Sequence, residues 1–239
     1  MLDVHPPHES VHSWKDFFIH IATIVIGLII AVGLEQTVEA LHHRHERHLL
    51  TQGMQREARK NAAYLRIDLH VDLLNAHWLH KAAQIINAAQ PVKGKITVTL
   101  PAPPDQTPHA IASRSVWSVA RSSGKVALLP EEQAEAYDRV DYDADLAMHA
   151  QQNLNDATAK FAAMLAQLNI PTASAGPITI PAAQRANLVS EMEFLSALSA
   201  QAAETAYPWL AGSDAIADGV RTQEDIWPYL RKEAYLLRQ

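Results

Sequence analysis

Cysteine is absent from these 239 residues. That removes disulfides, thiolate metal ligands and cysteine nucleophiles, though it leaves the compartment open. Glycine is scarce, with 8, and aromatic residues make up 6%. Both deficits argue against a sandwich or barrel, and the abundant alanine favours helices. A Gly-rich phosphate loop, a Gly-x-Ser-x-Gly elbow, a dinucleotide fingerprint and the His-Glu-x-x-His spacing are all missing. These absences count against the common enzyme classes, and a non-catalytic role is favoured. The most consequential absence is local: Phe17 to Leu34 contains no Lys, Arg, Asp or Glu.

That stretch, FFIHIATIVIGLIIAVGL, is apolar all the way round a helix. Eighteen residues at ~1.5 Å each span about 27 Å, close to a bilayer core. Three readings compete. A cleaved signal peptide needs a basic start and a shorter apolar stretch, whereas the tail before Phe17 sets only Lys15 against Asp3, Glu9 and Asp16. Ala31-Val32-Gly33 supplies the small residues such a peptide would need. A buried core helix is the third reading. The favoured one is a membrane anchor at 17–34, behind a polar tail at 1–16.

Trp14 and Lys15 suit the interface just before the span, and Arg44 and Arg47 the interface beyond it. His20, one turn inside, is expected to face the headgroups while neutral. Gly27 and Ala31 are spaced to let two helices approach closely, which opens a homodimer as a partner reading.

The formal charge of -6 is uneven. In residues 41–66, Arg44, Arg47, Arg56, Arg59, Lys60 and Arg66 outnumber Glu46 and Glu57, and the remainder is acidic. An acidic main body argues against nucleic acid as a partner, so the lipid bilayer is the partner expected. The basic stretch reads as a solvated helix face that begins where headgroups would be.

The run Val11-His12-Ser13-Trp14-Lys15-Asp16-Phe17-Phe18, then Ile24 to Ala31, then Leu34-Glu35-Gln36-Thr37-Val38-Glu39, resembles a family of uncharacterised single-span bacterial proteins. Their shared signature is an apolar IGxLIA core followed by a Glu. Ser115-Val116-Trp117, Ser122-Ser123-Gly124 and Leu128-Leu129-Pro130 are similar to a second junction in those proteins. The resemblance implies a single-pass protein of a Gram-negative inner membrane with a helical domain in the periplasm. It carries over no catalytic residue. The Lys and Arg counts flanking the span are close to a tie, so the lean towards the periplasm is slight.

Past the span, a juxtamembrane helix is expected over 35–90, with Leu34, Val38, Leu41, His45 and Leu49 at 3–4 spacing and Gly53 as a weak point. Two apolar stripes come next: Leu65, Leu69, Ala76, Leu79, Ala83 and Ile86, interrupted by Asp72, and Ile67, Val71, Leu74, Trp78 and Ile85. So broad a face belongs in a multi-helix core. Residues 91–239 supply the rest of the bundle, packing with 54–90.

Lys95 to Leu100 alternates as a short strand, with a Pro-rich loop after it. A short helix is expected around Ser113–Arg121, with Trp117, Val116 and Val119 anchoring it. A long helix should start at Pro130-Glu131-Glu132 and reach Leu168. Pro171, Pro177 and Pro181 read as bracketing a linker. Leu188 to Ala202 marks another helix, with breaks at Pro208, Gly212 and Gly219. Thr222 with Asp225 resembles a capping box for a last helix. Trp209, Trp227 and Tyr229 should close the bundle end or form a partner surface. The fold expected is mainly α: one transmembrane helix, then a helical bundle with at most a short β segment near 95–100.

Histidine is the enriched reactive residue, with 13. In HHRHERH, His42 and His45, and then His45 and His48, are i,i+3 neighbours. Glu39 with His42 matches half of a di-iron pair, and the bundle logic needs a second such pair from other helices. His70 and His77 share a face, and His77 with His80 have a spacing that imidazole-binding metals accept. The leading reading of both groups is solvated polar positions, and no cofactor is required. A divalent metal at His42, His45, His48, His70, His77 or His80 is the alternative. Asp138, Asp141, Asp143 and Asp145 lack the Gly and the Glu of a calcium loop and read as a solvated face. The favoured function is a membrane-anchored binding, sensory or scaffold protein. The alternative is a histidine-based metal-binding or pH-responsive one.

Overall fold

The computed structural model describes residues 14–104, 112–170 and 176–233. Residues 1–13, part of the Pro-rich loop and Pro171 lie outside the described residues. The chain is mainly α-helical, with five α-helices and one two-stranded sheet among the described residues. It divides into unit 1, ending at Leu49, and unit 2, beginning at Leu50.

Helix α1, Trp14–Ala88, contributes its first part to unit 1 and the rest to unit 2. It passes through Gly53 without a break. In unit 1 the apolar side chains are exposed, from Phe17 at 48% to Ile30 at 66%. The 18-residue window that is apolar enough to cross a membrane has none of its residues buried.

In unit 2, α1 buries Met54, Ala58, Ala62, Leu65, Leu69, Ala76, Ala83 and Ile86 at helical spacing. The second stripe is buried only in part: Ile67 and Leu74 are exposed, while Trp78 and Ile85 pack against the core. The core needs only one broad face of α1, because its partners are the helices α3, Glu131–Gln167, and α4, Arg185–Ala217. Side-chain contacts give their directions. Arg66 meets Asp214, and His80 meets Glu193, so α4 runs antiparallel to α1. Val140 lies against Gly212 and Met164 against Asn187, so α3 also opposes α4.

Helix α4 continues through two of the three expected breaks, Pro208 and Gly212. Pro208 forfeits one backbone hydrogen bond, at a cost of about 3 kcal/mol. Burial of Ala206, Trp209, Leu210 and Ala211 around it offsets that cost. Gly212 is a contact point rather than a break, since α3 passes over it. Gly219 does end the helix region, at φ 92°.

Strand β1, Lys95–Leu100, lies where alternation placed it. Its partner β2, Gly176–Pro181, replaces the expected linker. The pairing is antiparallel, with Ile96 opposite Ile180 and Val98 opposite Ile178. Those four side chains face inward and pack with Ala82, Ala83, Ile86, Leu188 and Met192. A two-stranded ribbon is marginal alone, and this apolar cover supports it. Thr97 and Thr179 pair their hydroxyls on the outer face at 3.1 Å.

Helix α2, Ser115–Ser122, is closed by Gly124 at φ 73°. The last helix, α5, Trp227–Glu233, comes after a short turn in which Thr222 Oγ1 accepts the Asp225 amide at 3.3 Å, and the Thr222 hydroxyl donates to the Asp225 carboxylate at 2.7 Å.

Candidate functional site

The densest polar assembly in unit 2 surrounds α2. The Glu57 carboxylate of α1 accepts the Ser115 amide at 2.9 Å, the Ser115 hydroxyl at 2.7 Å and the Val116 amide at 3.1 Å. It caps the positive end of α2 from another element. Asn61 holds Ser113 just before it. Arg114 donates to Asp141 and Asp145, each at 2.7 Å, and Arg121 donates to Asp141 at 3.3 Å. Trp117 is buried, donates its indole N–H to Asp138 at 3.1 Å and meets Tyr137 edge-on. Val116 packs on the core as expected, while Val119 is exposed at the outer side of the short helix.

The acidic run on α3 is therefore not simply a solvated face. Asp138, Asp141 and Asp145 clamp the arginines and tryptophan of α2, and Asp143 is buried beside Arg139, 3.2 Å away. The Arg114 hydrogen bond holds the Asp145 carboxyl below its usual range, and burial pushes Asp143 up against the pull of Arg139. The same contacts raise the already high pKa of Arg114. Carboxylates so engaged hold α2 and its arginines against α3.

An open cleft of about 770 Å³ lies outside α2, lined by Arg114, Ser115, Ser118, Arg121, Asp141 and Met148. Its arginines are already neutralised by α3. Two smaller voids lie inward. One, of about 30 Å³, is edged by Asn61, Tyr137, Trp209 and Ser213. The other, of about 40 Å³, is apolar and edged by Trp78, Phe161, Leu165, Ile178 and Met192. Each has room for a water-sized occupant and not for a substrate.

Asp72 is the unusual titratable group. It is 7% exposed, on the α1 stripe between Leu69 and Ala76. Burial, and then the nearby charge of Asp68, push its pKa up to about 7. Asn61 occupies the same stripe, between Ala58 and Leu65. A polar residue within an apolar 3–4 series is the signal that identifies both. Glu57 and Arg114 carry no such signal, since their partners are 58 and 27 residues away.

Among the histidines, His42, His45 and His48 are exposed in unit 1, and His42 lies 3.8 Å from Glu46. His43 lies 3.9 Å from Glu39. His70 and His77 are exposed on α1. His80 is engaged by Glu193 and by Gln84, each at 2.8 Å, rather than by His77. No group of three or more potential ligands converges among the described residues. In unit 1, Trp14, Arg44 and Arg47 are exposed, and nothing lies within 4 Å of a Cβ placed on Gly27. Ala31 is exposed beside it. Of the C-terminal aromatics, Trp209 is buried in the core, Trp227 is 59% exposed and Tyr229 donates its hydroxyl to Asp218 at 2.9 Å.

Compared with known proteins, the chain matches no family model, no curated protein and no solved structure. The class that the fold defines is a helical bundle unit joined by one long helix to an exposed apolar segment long enough to cross a membrane.

Proposed function

We propose that this chain is a single-pass, membrane-anchored helical protein that serves as a binding, sensory or scaffold module rather than an enzyme. Its compartment is a bacterial inner membrane, with unit 2 on the periplasmic side, as the resemblance to single-span bacterial proteins implies. One observation carries the anchor: Phe17 to Leu34 keeps its apolar side chains outward, and none of that apolar window is buried among the described residues. Leaving that much apolar area in water is unfavourable by about 25 cal/mol per Å², and lipid removes the cost. The non-catalytic reading draws on the engagement of the α3 carboxylates and on the small size of the inner voids.

A second reading, a histidine-based metal-binding or pH-responsive membrane protein, draws on the exposure of His42, His45 and His48 close beyond the span.

The test is alkaline carbonate extraction of membranes, with a phosphatase that is active only outside the cytoplasm fused after Gln239. An active fusion retained in the membrane is expected. Release into the soluble fraction with a shortened N-terminus would replace the anchor with a signal peptide. A stable, membrane-bound, inactive fusion would move unit 2 to the cytoplasm.

A further inference from the structure

Unit 1 carries a second pattern besides its hydropathy. Phe17, His20, Ile24, Gly27, Ala31, Leu34, Val38, Leu41, His45 and His48 succeed one another at alternating steps of three and four residues. The series runs over more than four heptads and, apart from His20, is apolar or small as far as Leu41, the period of a two-stranded helical seam. All ten residues are exposed on α1.

Lipid accounts for the exposure of Phe17 to Leu34 but not for that of the apolar residues past the span. Val38 and Leu41 lie beyond Glu35, yet they are 59% and 61% exposed. They continue the seam that passes Gly27 and Ala31, where small residues permit close approach. A second copy of the same chain is the occupant that this register fits. Two copies inserted the same way must lie parallel and in register, so each seam residue meets its own counterpart.

The next two seam positions are His45 and His48. In a parallel pair they form adjacent layers about 4.5 Å apart along the axis, with the helix axes ~8–10 Å apart. Two chains thus bring four imidazoles to one place. Four nitrogen donors suit a tetrahedral divalent ion, with zinc–nitrogen bonds of about 2.0–2.1 Å. His42 and His43 lie off the seam, His42 near Glu46 and His43 near Glu39, each on its own helix. Those two glutamates also balance Arg44 and Arg47, so this stretch does not repel a cation through its net charge.

We propose that two copies pair in parallel along this seam, and that His45 and His48 of both copies close a four-imidazole site for a borderline divalent cation of the zinc class. The parallel arrangement rests on the membrane-anchor reading above.

The native absence of cysteine makes the test direct. Full-length chain carrying Leu41→Cys or Gln36→Cys is oxidised in its membranes. Leu41→Cys is expected to form disulfide-linked dimers, while Gln36→Cys, on the opposite side of the helix, does not. Zinc is then titrated into the cysteine-free full-length protein, purified with a histidine-free tag. One ion per two chains is expected, with a zinc-dependent rise in dimer. The double substitution His45→Ala and His48→Ala should abolish saturable binding, and His42→Ala with His43→Ala should preserve it. Equal crosslinking at both cysteines would overturn the seam. One zinc per chain, no saturable binding, or loss through the His42 and His43 pair would overturn the site. Carbonate extraction separates failure of the anchor: a chain released from membranes that still crosslinks only through Leu41→Cys and binds one zinc per two chains retains the site without the membrane.

Discussion

Asn61 grips the backbone of Ser113 with both ends of its amide. Its Nδ2 donates to the Ser113 carbonyl at 2.6 Å, and its Oδ1 accepts the Ser113 amide at 2.8 Å. A side chain thus imitates a strand partner and locks the approach to α2 onto α1. Asn61→Ala leaves two part-buried backbone groups without that partner and is expected to cost about 2–3 kcal/mol. Denaturant titration of the full chain, monitored by circular dichroism, measures it. A change below ~0.5 kcal/mol would mean that water replaces the amide without penalty.

Gly212 is where α4 lies closest to α3. A Cβ there would overlap Val140 Cγ2 and stand 3.1 Å from Val140 Cγ1. Gly212→Ala should therefore destabilise the bundle by about 1–3 kcal/mol despite the better helix propensity of alanine. Val140→Ala makes room, so the double variant should be more stable than the sum of the single losses by at least ~0.5 kcal/mol. Simple additivity of the two melting shifts would remove the close contact as the cause.

Asp72 should make the protein less stable as pH rises. Below pH 3.8 the folded and unfolded chains both hold its proton. Between 3.8 and about 7 the unfolded chain releases the proton while the folded one retains it. Stability then falls with pH and levels off above about 7, with a total loss on the order of 4 kcal/mol. Asp72→Asn should abolish that descent, leaving the variant more stable than the native chain at pH 8 and similar to it near pH 4. Parallel stability curves for the two proteins would assign any descent to other groups.

Glu57 acts as a remote cap for α2. Glu57→Ala should expose the Ser115 and Val116 amides to faster hydrogen exchange and cost about 1–2 kcal/mol. Glu57→Gln keeps an acceptor oxygen and should recover part of that protection. Unchanged exchange at both amides in Glu57→Ala would show that the cap contributes nothing to α2.

Much of the element order is legible because its causes are local. Gly124 closes α2, Pro130-Glu131-Glu132 opens α3, and alternation marks β1. Strand β2 escaped because its prolines, Pro177 and Pro181, speak for a linker, and only the facing Val98 and Ile96 make Ile178 and Ile180 a strand. Pro208 misleads for a similar reason: local geometry opposes a helix there, and burial on both sides outweighs it.

The sequence by itself determined the apolar segment, the helical class and the spacing of the histidines, because charge, hydropathy and helical period are properties of neighbouring residues. Only the tertiary structure decided what the polar residues do. Glu57 and Ser115, or Arg114 and Asp145, are far apart along the chain and meet only when α1, α2 and α3 pack. The four carboxylates of α3 look alike in the sequence. Packing makes Asp141 and Asp145 partners of Arg114, makes Asp138 the acceptor for the Trp117 indole and buries Asp143. The physical reason is that desolvation and ion pairing depend on the chain segments that surround a side chain, which no local pattern specifies.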